Sequence, residues 1–156
     1  MNKNIIVVED DQSKAEEVLA FLRQNYPQYE IVRVSSYNSA MRFLQNSSFD
    51  LMILDVTLPT FEDEHFIGER SFEKFGGVMI LRELKRKRKL LPTILFTMFD
   101  DFGIRNEHIS LDQISKELEE KYSTFFLGAV FYESPPGRDW ATSLQKIMND
   151  NNFNCG

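Results

Sequence analysis

Phe49-Asp50-Leu51-Met52-Ile53-Leu54-Asp55-Val56-Thr57-Leu58-Pro59 decides how the rest of the chain is read. Four apolar residues run straight into Asp55, and a turn signal ending in Pro59 follows. An apolar run of this length between polar residues and proline reads as a strand buried on both faces. Asp55 then stands at the strand's carboxyl end, where open α/β sheets place their ligands. A second apolar run, Ile5-Ile6-Val7-Val8, also ends in acid, at Glu9, Asp10 and Asp11. Two buried strands that deliver carboxylates to one sheet edge offer oxygen ligands to a hard cation such as Mg²⁺.

Outward from these strands the periodicities alternate. Ala15, Val18, Leu19 and Leu22 recur at helical spacing, with Gln12, Lys14, Glu16 and Arg23 assigned to other faces, and Tyr26-Pro27 closes that helix. A short strand, Glu30–Val34, precedes a helix that begins at Ser35-Ser36 and is expected to bury Ala40, Phe43 and Leu44. After the Asp55 strand, residues 60–75 show no clear period. Gly76-Gly77 opens a helix carrying Val78, Leu81 and Leu84, and Thr93–Thr97 is the fourth strand. Ser110 and Gln113 form a capping-box pair for a helix striped by Leu111, Ile114 and Leu118. Residues 125–132 read as a fifth strand interrupted at Gly128-Ala129, and a last helix is expected to bury Trp140, Leu144 and Ile147. Strands alternating with helices imply an α/β fold, a doubly wound five-stranded parallel sheet with helices on both faces. One domain is expected over residues 1–150, followed by a polar tail at 151–156.

The totals remove several classes of function. With 18 basic and 24 acidic residues, the net charge of −6 argues against general attraction to nucleic acid. Cys155 is the only cysteine, so no disulfide framework exists. The N-terminus does not read as a signal peptide, and no apolar run approaches the roughly 20 residues of a membrane span. A soluble, cytoplasmic protein is the simplest expectation. Gly-x-Gly-x-x-Gly is absent after the first strand, which removes the dinucleotide fingerprint. His65 and His108 have no neighbour at metal-ligand spacing. Lys85-Arg86-Lys87-Arg88-Lys89 reads either as cations suited to a helix C-terminus or as a contact for a nucleic acid or an acidic partner. The acidic cluster keeps a plainer reading too, in which Asp11 caps the helix beginning near Gln12.

Glu9-Asp10-Asp11 after strand one, Leu54-Asp55-Val56-Thr57-Leu58-Pro59 after strand three, Phe96-Thr97 ending strand four and Gly128-Ala129 in strand five together resemble the receiver domain of two-component response regulators. The resemblance spans nearly the whole chain. It implies a flavodoxin-like fold with strand order 2-1-3-4-5. It further implies that Asp55 is the phosphoryl acceptor, and that Asp10 is a direct Mg²⁺ ligand with Glu9 acting beside it through water. The main-chain carbonyl of Thr57 and the Asp55 carboxylate complete the metal set. The Thr97 hydroxyl is implied as the switch group and Tyr132 as the rotating aromatic. The implied function is that of a single-domain receiver: not an enzyme, but a phosphoprotein in a phosphorelay. Its expected partners are a histidine kinase or phosphotransfer protein and an unknown downstream protein, with no membrane and no nucleic acid.

Two departures qualify that pattern. The family ends strand five with Lys-Pro, whereas this chain reads Phe131-Tyr132-Glu133-Ser134-Pro135-Pro136. Ser134 or Pro135 falls at the lysine position, and neither supplies a cation. Arg138 is the nearby alternative, with a different shape and reach. Insertions near 60–75, carrying Phe61, Phe66, Phe72 and Phe75 among acidic residues, and near 98–109 read either as surface loops or as a lid or partner surface. Two rivals therefore stand beside the phosphoacceptor. One is a receiver-like interaction module that works without phosphorylation. The other is a haloacid-dehalogenase-type phosphatase, which would want a second Asp where Thr57 stands.

Overall fold

The structure, a computed structural model, describes residues 3–58, 75–98, 110–132 and 140–154. The insertions centred on 60–75 and 98–109, Ser134, Pro135, Arg138, both histidines and Cys155 lie outside the described residues.

Strands β1 (Lys3–Val8), β2 (Tyr29–Val34), β3 (Leu51–Leu54), β4 (Thr93–Thr97) and β5 (Phe126–Phe131) form one parallel sheet in the order β2-β1-β3-β4-β5. Helices α1 (Gln12–Asn25), α2 (Tyr37–Asn46), α3 (Gly76–Arg86), α4 (Leu111–Tyr122) and α5 (Trp140–Asp150) alternate with them. The expected doubly wound fold is present. All four residues of β3 are buried, as their unbroken apolar run requires of a central strand covered on both faces.

Alternation along the strands splits the interior into two cores. Ile6, Val8, Met52, Leu54 and Leu95 face α2, α3 and α4, together with Ala40, Leu44, Ile80, Leu84, Ile114 and Leu118. Ile5, Val7, Leu51, Ile53, Ile94 and Phe96 face α1 and α5, together with Val18, Leu22, Leu144 and Met148. Local signals set the helix ends. Asp11 Oδ1 accepts the Lys14 N–H at 2.9 Å, so Asp11 is the N-cap of α1. Ser110 and Gln113 make the reciprocal capping box at α4.

Three details differ from the sequence reading. Phe43 is 39% exposed, and Met41 takes the buried place on α2 beside Ala40 and Leu44. Phe125 lies in a single 3-10 turn, Ser123–Phe125, and β5 starts one residue later. On α5 the fully buried pair is Leu144 and Met148, with Trp140 and Ile147 half-buried at the margin. On α2 and α5 the helix presents a narrower stripe to the sheet than its apolar content offers.

The β5 irregularity flagged by Gly128-Ala129 is real. The pairing of β4 with β5 shifts register between Thr93 and Ile94, and Gly128 takes φ +151° where Ile147 presses against the strand. A side chain there would be strained in backbone and crowded in space.

Candidate functional site

The register of β1 against β3 explains why the acids converge. Val8 pairs with Leu54, so Glu9 and Asp55 are the next residues out of neighbouring parallel strands. The Asp55 N–H donates to Val8 O at 3.0 Å and the Glu9 N–H to Val34 O at 3.0 Å, which carries the sheet hydrogen bonding into the acidic edge. One carboxylate oxygen each from Glu9, Asp10 and Asp55 lie within 4.8 Å of one another. Glu9 and Asp55 are buried, and Asp10 opens to solvent.

The turn after Asp55 is held from two sides. Thr57 donates twice to Asp55 Oδ1, from its N–H at 3.1 Å and its hydroxyl at 3.0 Å. Beneath it, the first amides of α3 grip the same turn: Gly76 N–H donates to Leu58 O at 2.8 Å and Gly77 N–H to Val56 O at 3.1 Å. A Cβ on Gly77 would stand 2.5 Å from Asp55 O, closer than any side chain tolerates. The glycine pair is thus needed for close approach of α3 to the turn after Asp55.

Crowding has an electrostatic cost. Burial, and then the charge of Asp55, push the Glu9 carboxyl up to about 7, although Lys14 pulls the other way. The same two causes, in the same order, raise Asp10. Carboxylates that repel in this way are relieved by a divalent cation, and an all-oxygen donor set matches a hard one. The residues present therefore fit Mg²⁺.

Thr97 is fully buried at the end of β4, on the same sheet edge as Asp55, and its carbonyl accepts the Tyr132 N–H at 2.7 Å. Tyr132 follows β5 directly and its ring is buried. It packs with Phe96 and Trp140 at ring-centroid distances of 5.5 and 5.9 Å, and its hydroxyl donates to Glu17.

Lys14 belongs to this site and sequence reasoning missed it. It is 1% exposed, with Nζ 2.6 Å from Glu9 Oε1, 3.8 Å from Asp55 Oδ1 and 5.2 Å from the Phe96 ring centroid. The signal was available in its spacing. Lys14, Val18 and Leu22 stand four apart, which places the lysine on the buried stripe of α1 rather than on its wet face.

The basic run ends α3 as expected. Arg86 and Lys87 pair with Glu83, Lys85 Nζ donates to Lys121 O at 3.2 Å, and Lys89 Nζ donates to Gln45 O at 3.1 Å. Those contacts hold the cations on the protein's own surface.

The response regulator receiver domain family matches residues 5–121. The chain belongs to that family. The uncharacterized protein y4jR of Sinorhizobium fredii is 26% identical over 141 residues, 90% of this chain and 93% of that one. The Detocs response regulatory protein DtcB of Enterobacter cloacae is 23% identical over 148 residues, 94% of this chain and 98% of that one. Among solved structures, the response regulator TrrA of Thermotoga maritima, in complex with Mg²⁺-BeF, aligns with TM-score 0.59 at 19% identity, covering 93% of this chain and 98% of that one. As a receiver, this chain is a member of the two-component signalling proteins. Among the described residues no helix is long and apolar enough to cross a membrane.

Proposed function

We propose that this receiver accepts a phosphoryl group on Asp55 in a Mg²⁺-dependent phosphorelay and signals through protein contacts. The observation that carries the reading is the buried Asp55 carboxylate, oriented by Thr57 and set within 4.8 Å of the Glu9 and Asp10 oxygens.

In the transfer, an Asp55 oxygen lone pair attacks phosphorus. The bond from phosphorus to the donor nitrogen of a phosphohistidine breaks, its electron pair stays on the imidazole, and an aspartyl phosphate results. Asp55 must be ionised to attack, and the two Thr57 hydrogen bonds fix the position of Oδ1. Asp10 and Asp55 would hold Mg²⁺ directly, with the Thr57 main-chain carbonyl as a third ligand and Glu9 reached through water. When bound, Mg²⁺ supplies positive charge that keeps the carboxylates ionised and neutralises the transferring phosphoryl oxygens. The Thr97 hydroxyl donates to a phosphoryl oxygen, and Tyr132, whose backbone is tied to Thr97 O, responds as the switch aromatic. The donor is a histidine kinase or phosphotransfer protein. The chain is a phosphoryl carrier in the cytoplasm rather than an enzyme with turnover of its own.

Intact mass after incubation with a small-molecule phosphodonor tests the reading. Wild type gains one phosphate only when Mg²⁺ is present, and Asp55→Asn gains none. A second reading, a receiver that binds its partner without phosphorylation, is favoured by Ser134-Pro135 standing where the family has its lysine. It expects no mass gain in wild type and partner binding unchanged by Asp55→Asn.

A further inference from the structure

We propose that Lys14 is the phosphoryl-binding cation of this receiver, presented from α1 in place of the lysine that strand five lacks. The inference rests on the reading of Asp55 as phosphoryl acceptor and names the group that holds the phosphoryl once it arrives.

A lysine that is 1% exposed is expensive to keep charged, because an ammonium leaving water loses several kcal/mol of hydration. Such a side chain persists where anions surround it, and here two carboxylates do. The Glu9 contact, at 2.6 Å, is one of charge more than of alignment, since Oε1 accepts no well-directed hydrogen bond. The Asp55 contact, at 3.8 Å, is attractive but too long to be a hydrogen bond. The ammonium therefore stands beside the acceptor oxygen without being bonded to it. A phosphoryl group on Asp55 extends its own oxygens beyond the carboxylate by one to two bonds, within reach of three N–H donors on a flexible stem.

Charge supports the same assignment. Glu9, Asp10 and Asp55 carry three formal negative charges when ionised, which one divalent cation and one ammonium balance. With no cation at Ser134 or Pro135, Lys14 is the lysine that the described residues bring to the site. Its position also couples it to the switch side of the sheet. Nζ lies over the Phe96 ring, and Phe96 packs on Tyr132, whose hydroxyl is held by Glu17 one turn along α1. An ammonium drawn from Glu9 toward a phosphoryl oxygen changes what Phe96 and Tyr132 pack against.

Beryllofluoride, a phosphoryl mimic, tests the proposal when its bound ¹⁹F resonance is followed on the full chain with Mg²⁺ present. Wild type shows a bound signal that Asp55→Asn abolishes. Lys14→Met is expected to keep Mg²⁺ binding by titration calorimetry and to lose at least tenfold in beryllofluoride affinity. Affinity within twofold of wild type in Lys14→Met overturns the role of Lys14 and leaves Asp55 as acceptor. No bound signal in wild type, together with no phosphate mass gain, overturns the acceptor reading and this proposal with it. Where Lys14→Met alone fails to fold, because Glu9 is left buried without its partner, Glu9→Gln/Lys14→Met is compared with Glu9→Gln. The same tenfold loss is expected between those two, and equal affinity overturns the proposal.

Discussion

The two faces of the sheet are built from different materials. The face under α2, α3 and α4 is almost wholly aliphatic at its centre, with Val8, Leu54, Ile80, Leu84, Leu95 and Leu118 in contact. The face under α1 and α5 contains an aromatic cluster of Phe21, Phe96, Tyr132 and Trp140, and the buried ammonium of Lys14 beside it. One sheet thus has a side that only packs and a side that packs around charge. The difference follows from register. Asp55 continues the alternation of Leu51 and Ile53, which face α1, so its carboxylate belongs to that side, where Lys14 meets it.

Substitutions that treat the two faces alike should give unlike results. The largest effect is expected on the aliphatic face, where Ile80→Ala should cost about 3 kcal/mol of unfolding free energy by denaturant titration. Mg²⁺ affinity should remain unchanged. A parallel loss of Mg²⁺ binding would show that the packing face also shapes the site.

The charged edge should instead betray itself through pH. Glu9 stands near 7 in the folded protein against 4.5 as its ordinary value, so the folded state binds the proton more tightly than the unfolded chain. The contribution is stabilising below about pH 4.5, declines as pH rises, and is gone above about pH 7. Its full span is on the order of 3 kcal/mol in metal-free protein. The difference in stability between wild type and Glu9→Gln, followed from pH 5 to 8 without Mg²⁺, should move in this direction. A flat difference would mean that the carboxylates are not opposed as the geometry requires.

The smallest effect probes the join between the faces and α1. Tyr132→Phe removes the hydroxyl that Glu17 accepts and keeps the ring among Phe96 and Trp140, so about 1 kcal/mol should be lost. The environment of Trp140, the chain's only tryptophan, should stay as it is by fluorescence. A shifted emission would show that the hydroxyl, and not the ring packing, sets the aromatic cluster.

Much of this was readable from residue order, for physical reasons that also mark where reading stopped. Apolar runs ended by acid identify buried strands and the edge where their carboxylates meet, because a parallel sheet puts every carboxyl end on one side. Glu9, Asp10 and Asp55 were therefore legible together. Lys14 was not, because a lysine in a helix is nearly always solvated and its place on the stripe counts against that habit only weakly. Phe43 failed in the opposite sense, since apolar character permits burial without enforcing it. Its neighbour Met41 completes the buried stripe with Ala40 and Leu44, and Phe43 is left exposed.

The hydrogen bonds from Gly76 and Gly77 to Leu58 and Val56 make α3 a pointer fastened to the turn after Asp55. Lys85 lies eight residues along that helix from Gly77, about 12 Å away at 1.5 Å per residue. A tilt of roughly 5° at the glycine end would sweep the basic run by about 1 Å. A displacement too small to disturb the sheet would in this way be magnified where α3 meets solvent, turning a change at a buried carboxylate into a change in the outline of a cationic surface.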